Sequence, residues 1–152
     1  MKPTIRKATL EDLPILLQFE QGIITAERPY DETLRKGHIN YYDIQALIES
    51  KQAEVIVAEI DGEVVSSAYA KRKKSLPYLD HEYHAYLGFM FVKPSFRGQG
   101  INRLIIDRLY DWAKANDLRE IRLEVYDGND AAIRAYEKAG FKKNLIMMRT
   151  RI

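Results

Sequence analysis

Val92-Lys-Pro-Ser-Phe-Arg97-Gly98-Gln99-Gly100-Ile101-Asn102 joins a hydrophobic run to an amphipathic one through two glycines. Upstream, Tyr83 to Val92 is rich in Tyr, Leu, Phe and Val and reads as a strand at the centre of a sheet, with Gly88 marking a bulge or a close backbone approach. Downstream, Gln99 to Asn116 sets Ile101, Leu104, Ile105, Leu109 and Trp112 on one face and Arg103, Asp107, Asp111 and Lys114 on the other, the pattern of a surface helix. Such a junction suits an anion: glycines let successive N–H groups converge, the helix N-terminus adds partial positive charge, and Arg97 and Arg103 bring full charges. A diphosphate fits there. The spacing lacks the Gly-Lys-Ser/Thr ending of a P-loop and the third glycine of a dinucleotide fingerprint. Taken alone, the two glycines read equally well as a tight strand-to-helix turn.

Working outward, Asn129-Asp-Ala-Ala-Ile-Arg-Ala-Tyr136-Glu-Lys-Ala-Gly140-Phe141 forms a short helix that ends at Gly140, with Tyr136 on the face of Ala132 and Ile133. By itself, Asn129 reads as an N-cap and Tyr136 as core. Glu120 to Tyr126 and Phe141 to Arg149 have strand composition. Toward the N-terminus, Glu54 to Ile60 and Glu63 to Ala70 flank Asp61-Gly62, a hairpin signal. Thr4 to Lys7 alternates like a short strand, and Thr9 with Asp12 opens a helix carrying Ile15, Leu16 and Phe19. Between Gln21 and Asn40 the pattern breaks up at Gly22, Pro29 and Gly37, and a helical stripe resumes over Tyr42 to Ser50. Mixed segments of this kind predict an α/β domain with a partly parallel sheet covered on both faces.

A chain of 152 residues suits one domain, read as 1–152. Its 46% hydrophobic and 30% charged residues are those of a globular protein. With no cysteine, a disulfide framework, a thiolate zinc site and a cysteine nucleophile are all excluded. A net charge of +2 is too balanced to indicate nucleic acid, and Lys71-Arg-Lys-Lys74 reads as a solvated strand end. No stretch approaches the ~20 apolar residues of a membrane span, and the start of the chain lacks the apolar core of a secretory signal, so the cytoplasm is expected.

Together the two motifs resemble the GNAT family, the Gcn5-related N-acetyltransferases. The likeness covers most of the chain and is most specific in Arg97-Gly-Gln-Gly100 and Ala135-Tyr-Glu-Lys-Ala-Gly-Phe141. It implies a mixed central sheet of about six or seven strands with helices on both faces, and transfer of an acetyl group from acetyl-CoA to a primary amine. By resemblance the coenzyme A pyrophosphate is held by Arg97, Gly98, Gln99, Gly100, Ile101 and Asn102, with Arg103 nearby. Asn102 departs from the family's Gly or Ala. Met90, Phe91 and Val92 would offer backbone groups to the pantetheine amides, Asn129 would reach that arm, and Tyr136 would lie near the thioester sulfur.

Aminolysis of a thioester requires an unprotonated amine, a polarised carbonyl and a protonated leaving group. Tyr136 suits the last task as general acid. His84, Glu82 and Glu124 are the candidate bases, with His84 favoured for its intrinsic pKa and Glu124 as the alternative on the adjacent strand. Glu27 and Asp31 would attract a cationic amine or serve as solvated loop charges. The expected partners are a small-molecule or protein amine and, by family habit, a second copy of the chain, with no metal, nucleic acid or membrane. A non-catalytic acyl-CoA-binding regulatory module, or a transferase using a longer acyl-CoA, are the alternatives.

Overall fold

The computed structural model describes residues 2–152. Five strands form one sheet in the order β1-β2-β3-β4-β5: β1 (Thr4–Lys7), β2 (Ala53–Ile60), β3 (Glu63–Lys74), β4 (Tyr83–Val92) and β5 (Ile121–Arg122). The first four are antiparallel neighbours, and β5 joins β4 in parallel after a helical crossover. The β2–β3 hairpin turns at Asp61-Gly62, both with positive φ, as the dipeptide predicted.

Helices α1 (Leu13–Glu27), α2 (Ile44–Glu49), α3 (Ile101–Ala115) and α4 (Asp130–Lys138) complete the fold. The alternation of β2 to β4 sends side chains to two cores. Ile56, Ala68, Ala85 and Leu87 meet Ile101, Ile105, Leu109 and Trp112 of α3 on one face. On the other, Val55, Val57, Tyr69 and Phe89 meet Leu16, Phe19 and Ile23 of α1 and Ile44 of α2. Burying side chains of this size stabilises by about 1.5–3 kcal/mol each, so both layers are tied firmly to the central strands. The predicted start of α1 is fastened by Asp12, whose carboxylate accepts from the Thr9 N–H at 2.8 Å and from two nitrogens of Arg6 at 2.9 Å. That guanidinium holds the Asp12 carboxyl below its usual range.

Three expectations are corrected. Gly22 does not break the first helix, which continues to Glu27. A Cβ at Gly22 would lie 2.7 Å from Cε2 of Phe91, so the glycine is where the helix closes onto the end of β4. Phe141 to Arg149 is not a sixth strand: it lies outside every element, makes no strand pairing among the described residues, and beyond Phe141 is exposed throughout. Local strand propensity does not make a strand without a paired edge. Among the described residues the sheet therefore has five strands rather than six or seven. The strand expected over Glu120 to Tyr126 shortens to Ile121–Arg122, because beyond that point it leaves β4.

Candidate active site

β4 carries a bulge where the site begins. Ser67 pairs with Phe91 and Tyr69 with Gly88, so Ala68 faces two residues, Phe89 and Met90. Phe89 adopts φ 59°, an uncommon conformation for a bulky residue, while its ring stays fully buried. The bulge is clamped from β3: the Ser66 hydroxyl donates to the Phe91 carbonyl at 2.7 Å and the Ser67 hydroxyl to the Phe89 carbonyl at 3.1 Å. Gly88, predicted as a bulge or close approach, is both. A Cβ there would lie 2.6 Å from the Tyr69 ring. On the opposite edge, the register with β5 ends at Tyr86↔Arg122. From Leu87 to Val92 that edge opens as a cleft whose backbone groups have no strand partner.

The cleft leads into the Arg97–Gly100 loop. Gly98 (φ 77°) and Gly100 (φ 79°) are both left-handed, and Gly100 is the N-cap residue of α3. This conformation favours glycine, and the loop leads into the N-terminus of a 15-residue helix, whose first-turn donors have no intrahelical acceptors. Arg97 is exposed, and its Nε donates to the Val92 carbonyl at 3.0 Å, which seats the loop on β4. Gln99 donates to the Ser95 carbonyl, and Ile101 is buried under the helix. Asn102 is half-buried in the first turn. Arg103 is engaged elsewhere, with Asp107 at 2.9 Å and the Lys138 carbonyl at 3.1 Å, and so ties α3 to the end of α4.

Asn129 caps α4 through Oδ1 and the Ala132 N–H, the capping role its position predicts. Tyr136 packs its ring edge-on to Phe141, with centroids 6.0 Å apart, and its hydroxyl finds no hydrogen-bond partner among the described residues. Burial, with the Glu27 charge adding to it, pushes its phenol up to about 12. Glu27 is thus near enough to be felt at Tyr136 although it lies on α1.

That carboxylate lies amid tyrosines gathered from distant segments. Burial raises the Tyr41, Tyr42, Tyr86 and Tyr126 phenols; the Glu27 charge comes next at Tyr41, follows Tyr69 at Tyr42, and contributes less than Glu124 at Tyr86 and less than Asp31 at Tyr126. Burial holds the Glu27 carboxyl itself above the ordinary range. Tyr126 donates to Asp31 at 2.9 Å and stacks on Tyr30. Glu124, exposed just beyond β5, adds negative charge beside Tyr69 and Tyr86. One buried anchor holds this wall: Glu20 on α1 accepts the Tyr41 and Tyr42 N–H groups at 2.7 and 2.8 Å. Sequence reading singled out neither Glu20 nor the convergence on Glu27. The only local signal was their separation of seven residues, which puts both on one helical face.

His84 lies at the other end of β4, six strand residues and roughly 20 Å from Met90. It is buried, its Nδ1 2.8 Å from the Ser75 hydroxyl, and burial with nearby Arg122, His81 and Lys73 lowers its pKa. Glu82 is exposed in the preceding loop, where its carbonyl accepts from the Ser75 N–H. The basic run Lys71 to Lys74 is spread over tyrosine rings of the strand ends, Arg72 over Tyr83 at 4.1 Å and Lys73 over Tyr86 at 4.7 Å.

Residues 21–141 match the acetyltransferase (GNAT) family. The chain belongs to that family. An acetyltransferase of Pectobacterium atrosepticum is 34% identical over 124 residues, covering 82% of this chain and 81% of that protein. Among solved structures, a mutant of the BH1408 protein from Bacillus halodurans superposes with a TM-score of 0.85 at 22% identity, over 98% of this chain and 99% of that one. A predicted acetyltransferase of Clostridium acetobutylicum, solved with acetyl-CoA, gives 0.76 at 19% identity over 99% and 96%. The aminoglycoside N-acetyltransferase AAC(6')-Iy with CoA gives 0.73 at 18% over 98% and 100%. The fold is therefore the GNAT fold, and this chain is an acetyltransferase of the family. No helix among the described residues is long and apolar enough to cross a membrane.

Proposed function

We propose that the chain transfers an acetyl group from acetyl-CoA to the primary amine of a cationic acceptor by direct attack on the thioester. The observation carrying this reading is the unpaired edge of β4 that runs into the left-handed Gly98 and Gly100 turn, with the buried Tyr136 hydroxyl available as a donor. Acetyl-CoA supplies an activated acetyl carbonyl, a chain of amides and a pyrophosphate. The residues present suit each part. Loop and first-turn N–H groups from Gly98 to Asn102, with Arg97 at the rim, suit the pyrophosphate. Along the Met90-Phe91-Val92 stretch, the backbone groups of Met90 and the Val92 N–H face the open edge and suit the amides as an added strand would, while the Phe91 carbonyl is taken by Ser66 and the Val92 carbonyl by Arg97. The Asn129 Nδ2, left over by the cap, is a further donor beside this arm.

In this account a β4 N–H at the bulge polarises the acetyl carbonyl. Tyr136 hydrogen-bonds the departing sulfur. A phenol raised to about 12 stays protonated at neutral pH, and against a thiol of pKa ~8.5 it favours a strong hydrogen bond over complete transfer of its proton. Glu27 takes the proton of the incoming ammonium, directly or through water. A carboxyl raised by burial is a stronger base than an exposed one, and the Glu27 charge is felt at Tyr136, whereas His84 lies at the far end of β4. Glu124, the alternative base on sequence grounds, serves with Asp31 to attract the acceptor's positive charge. Tyr30, Tyr41, Tyr86 and Tyr126 form the pocket walls, suited to an amine with an apolar or cationic body.

Free thiol release from acetyl-CoA, followed against a panel of amines, tests the reading. Release that depends on an amine is expected, fastest with amines carrying a second positive charge. Acetyl-CoA binding without release from any amine would instead favour the non-catalytic module.

A further inference from the structure

The chain between α1 and α2 is fastened to α1 at three points. Arg28 donates to the Arg35 and Gly37 carbonyls at 2.8 and 2.6 Å, and Gln21 to the Ile39 carbonyl at 2.9 Å. Glu20 accepts the Tyr41 and Tyr42 N–H groups at 2.7 and 2.8 Å. Arg28 and Gln21 are only partly covered, whereas Glu20 is fully buried. Both N–H groups go to Oε2 of Glu20, and its Oε1 has no partner among the described residues. A carboxyl buried with an idle oxygen is a costly way to attach a loop that two other side chains already hold. What Glu20 adds is the placement of the two residues it grips.

Those two residues reach different parts of the site. The Tyr42 ring packs on Phe89, centroids 5.2 Å apart, and edge-on to Tyr69 at 5.6 Å. Phe89 is the φ 59° residue of the bulge and Tyr69 is the ring that Gly88 admits, so Tyr42 braces the bulge that Ser66 and Ser67 hold by its carbonyls. Tyr41 stands edge-on to Tyr42, centroids 5.7 Å apart. Its buried hydroxyl makes no well-aligned hydrogen bond among the described residues, yet it acts on Glu27: burial pushes that carboxyl up and the Tyr41 hydroxyl draws it back. Glu20 and Glu27 share one face of α1, roughly 10 Å apart along the axis, so one helix carries both the carboxyl and the anchor of the ring beside it.

We propose that Glu20 is a positioning residue: by gripping two consecutive N–H groups it sets Tyr41 against the Glu27 carboxyl and Tyr42 against the Phe89 bulge. Being fully buried, it acts through these residues and not on a substrate. Because both N–H groups share one oxygen, the settings of the carboxyl and of the bulge are coupled. Without that oxygen two adjacent donors lose their acceptor, and the pair turns toward water. The other groups that feel the Glu27 charge are Tyr86 of β4, Tyr126 beyond β5, where Asp31 adds its own charge, and Tyr136 of α4. None of these is bonded to Glu20, so Tyr41 is the neighbour through which Glu20 reaches Glu27. The effect on catalysis rests on Glu27 being the base, as proposed above.

Three variants of the full chain test this. Glu20→Met fills the space without an acceptor, Glu20→Gln keeps an acceptor oxygen, and Tyr41→Phe removes only the hydroxyl beside Glu27. The Glu27 carboxyl is followed by NMR titration of isotope-labelled glutamate, assigned with Glu27→Gln, a readout that needs no turnover. Burial is the larger influence on Glu27, so Glu20→Met, which frees the covering ring, is expected to lower its pKa toward the ordinary value. Tyr41→Phe keeps the ring and loses the opposing hydroxyl, and is expected to raise it. Glu20→Gln is expected to titrate as the unmodified chain does. In turnover, Glu20→Met is expected to lower kcat at least about tenfold with acetyl-CoA affinity unchanged, the acidic limb following the NMR shift, and Glu20→Gln to recover most of the rate. Should Glu20→Met not fold, Glu20→Asp, one methylene shorter, withdraws the same oxygen and is expected to shift Glu27 in the same direction. A Glu27 titration unmoved by loss of the oxygen, or Glu20→Gln behaving as Glu20→Met does, overturns the proposal. A Glu27 signal that moves while the kinetic limb stays supports the positioning and removes Glu27 as the base instead.

Discussion

Along its β3 edge, β4 is paired from Tyr83 to Val92, while along its β5 edge pairing stops after Tyr86. The two edges belong to the same ten residues, so propensity cannot account for the difference. On the β3 side the irregularity is absorbed: Ser66 and Ser67 catch the carbonyls that the bulge displaces, and Gly88 admits the Tyr69 ring. On the β5 side no strand pairs with β4 beyond Tyr86 among the described residues. One edge holds the strand still, and the other leaves its backbone without a strand partner, which under the proposed function suits a strand-like ligand.

The contrast can be broken first at the mouth of the open edge. Gly100→Val puts a β-branched side chain at φ 79° in the anion loop, and acetyl-CoA binding followed by calorimetry should fall at least about 100-fold in a protein that still folds. Unchanged affinity would remove the phosphate-loop assignment. Within the site, Glu27→Gln should lower kcat by about 10²-fold and remove the acidic limb of the kcat/KM profile. Since the Glu27 carboxyl is raised, that limb should lie above the ordinary glutamate range. A variant that keeps the limb would transfer the base role elsewhere. Tyr136→Phe should cost more than about tenfold in turnover with acetyl-CoA affinity nearly unchanged. A normal rate would remove its role at the sulfur.

On the closed edge the expected effects are on stability. Gly88→Ala pushes a methyl against a Tyr69 ring that is only 4% exposed, and should destabilise by about 1–3 kcal/mol in denaturant unfolding. No change there would mean that the ring moves freely and the clamp is loose. The smallest effect belongs to the far end of β4. His84 has a lowered folded pKa, so the unfolded chain takes up a proton first as pH falls. Its contribution is complete above the unfolded value of about 6.5 and declines below it. Melting temperature should therefore hold above about pH 7 and fall as pH drops below about 6.5, and His84→Gln should flatten that slope.

The parts legible in the sequence are those whose chemistry is local. The glycine pair, the amphipathic α3, the Asp61-Gly62 turn and the Asn129 cap each depend on a few neighbouring residues, and all four are found where the pattern put them. Three features were not legible. The path of α1 through Gly22 depends on Phe91, some seventy residues away. The tyrosine and carboxylate wall is drawn from α1, the loop before α2, β4 and the end of β5, so no window contains it. Phe141 to Arg149 has strand composition, but a strand exists only with a partner edge. Arg103 shows the converse: chosen for its proximity to the loop, it is occupied by Asp107 and the Lys138 carbonyl.

The most direct test of the open edge is amide hydrogen exchange with and without saturating acetyl-CoA. Slowed exchange confined to the Met90 and Val92 amides and to Gly98–Asn102, with the β3-facing amides, Phe91 among them, unchanged, is the predicted result. Tight binding that leaves both stretches exchanging at their free rates would contradict the account.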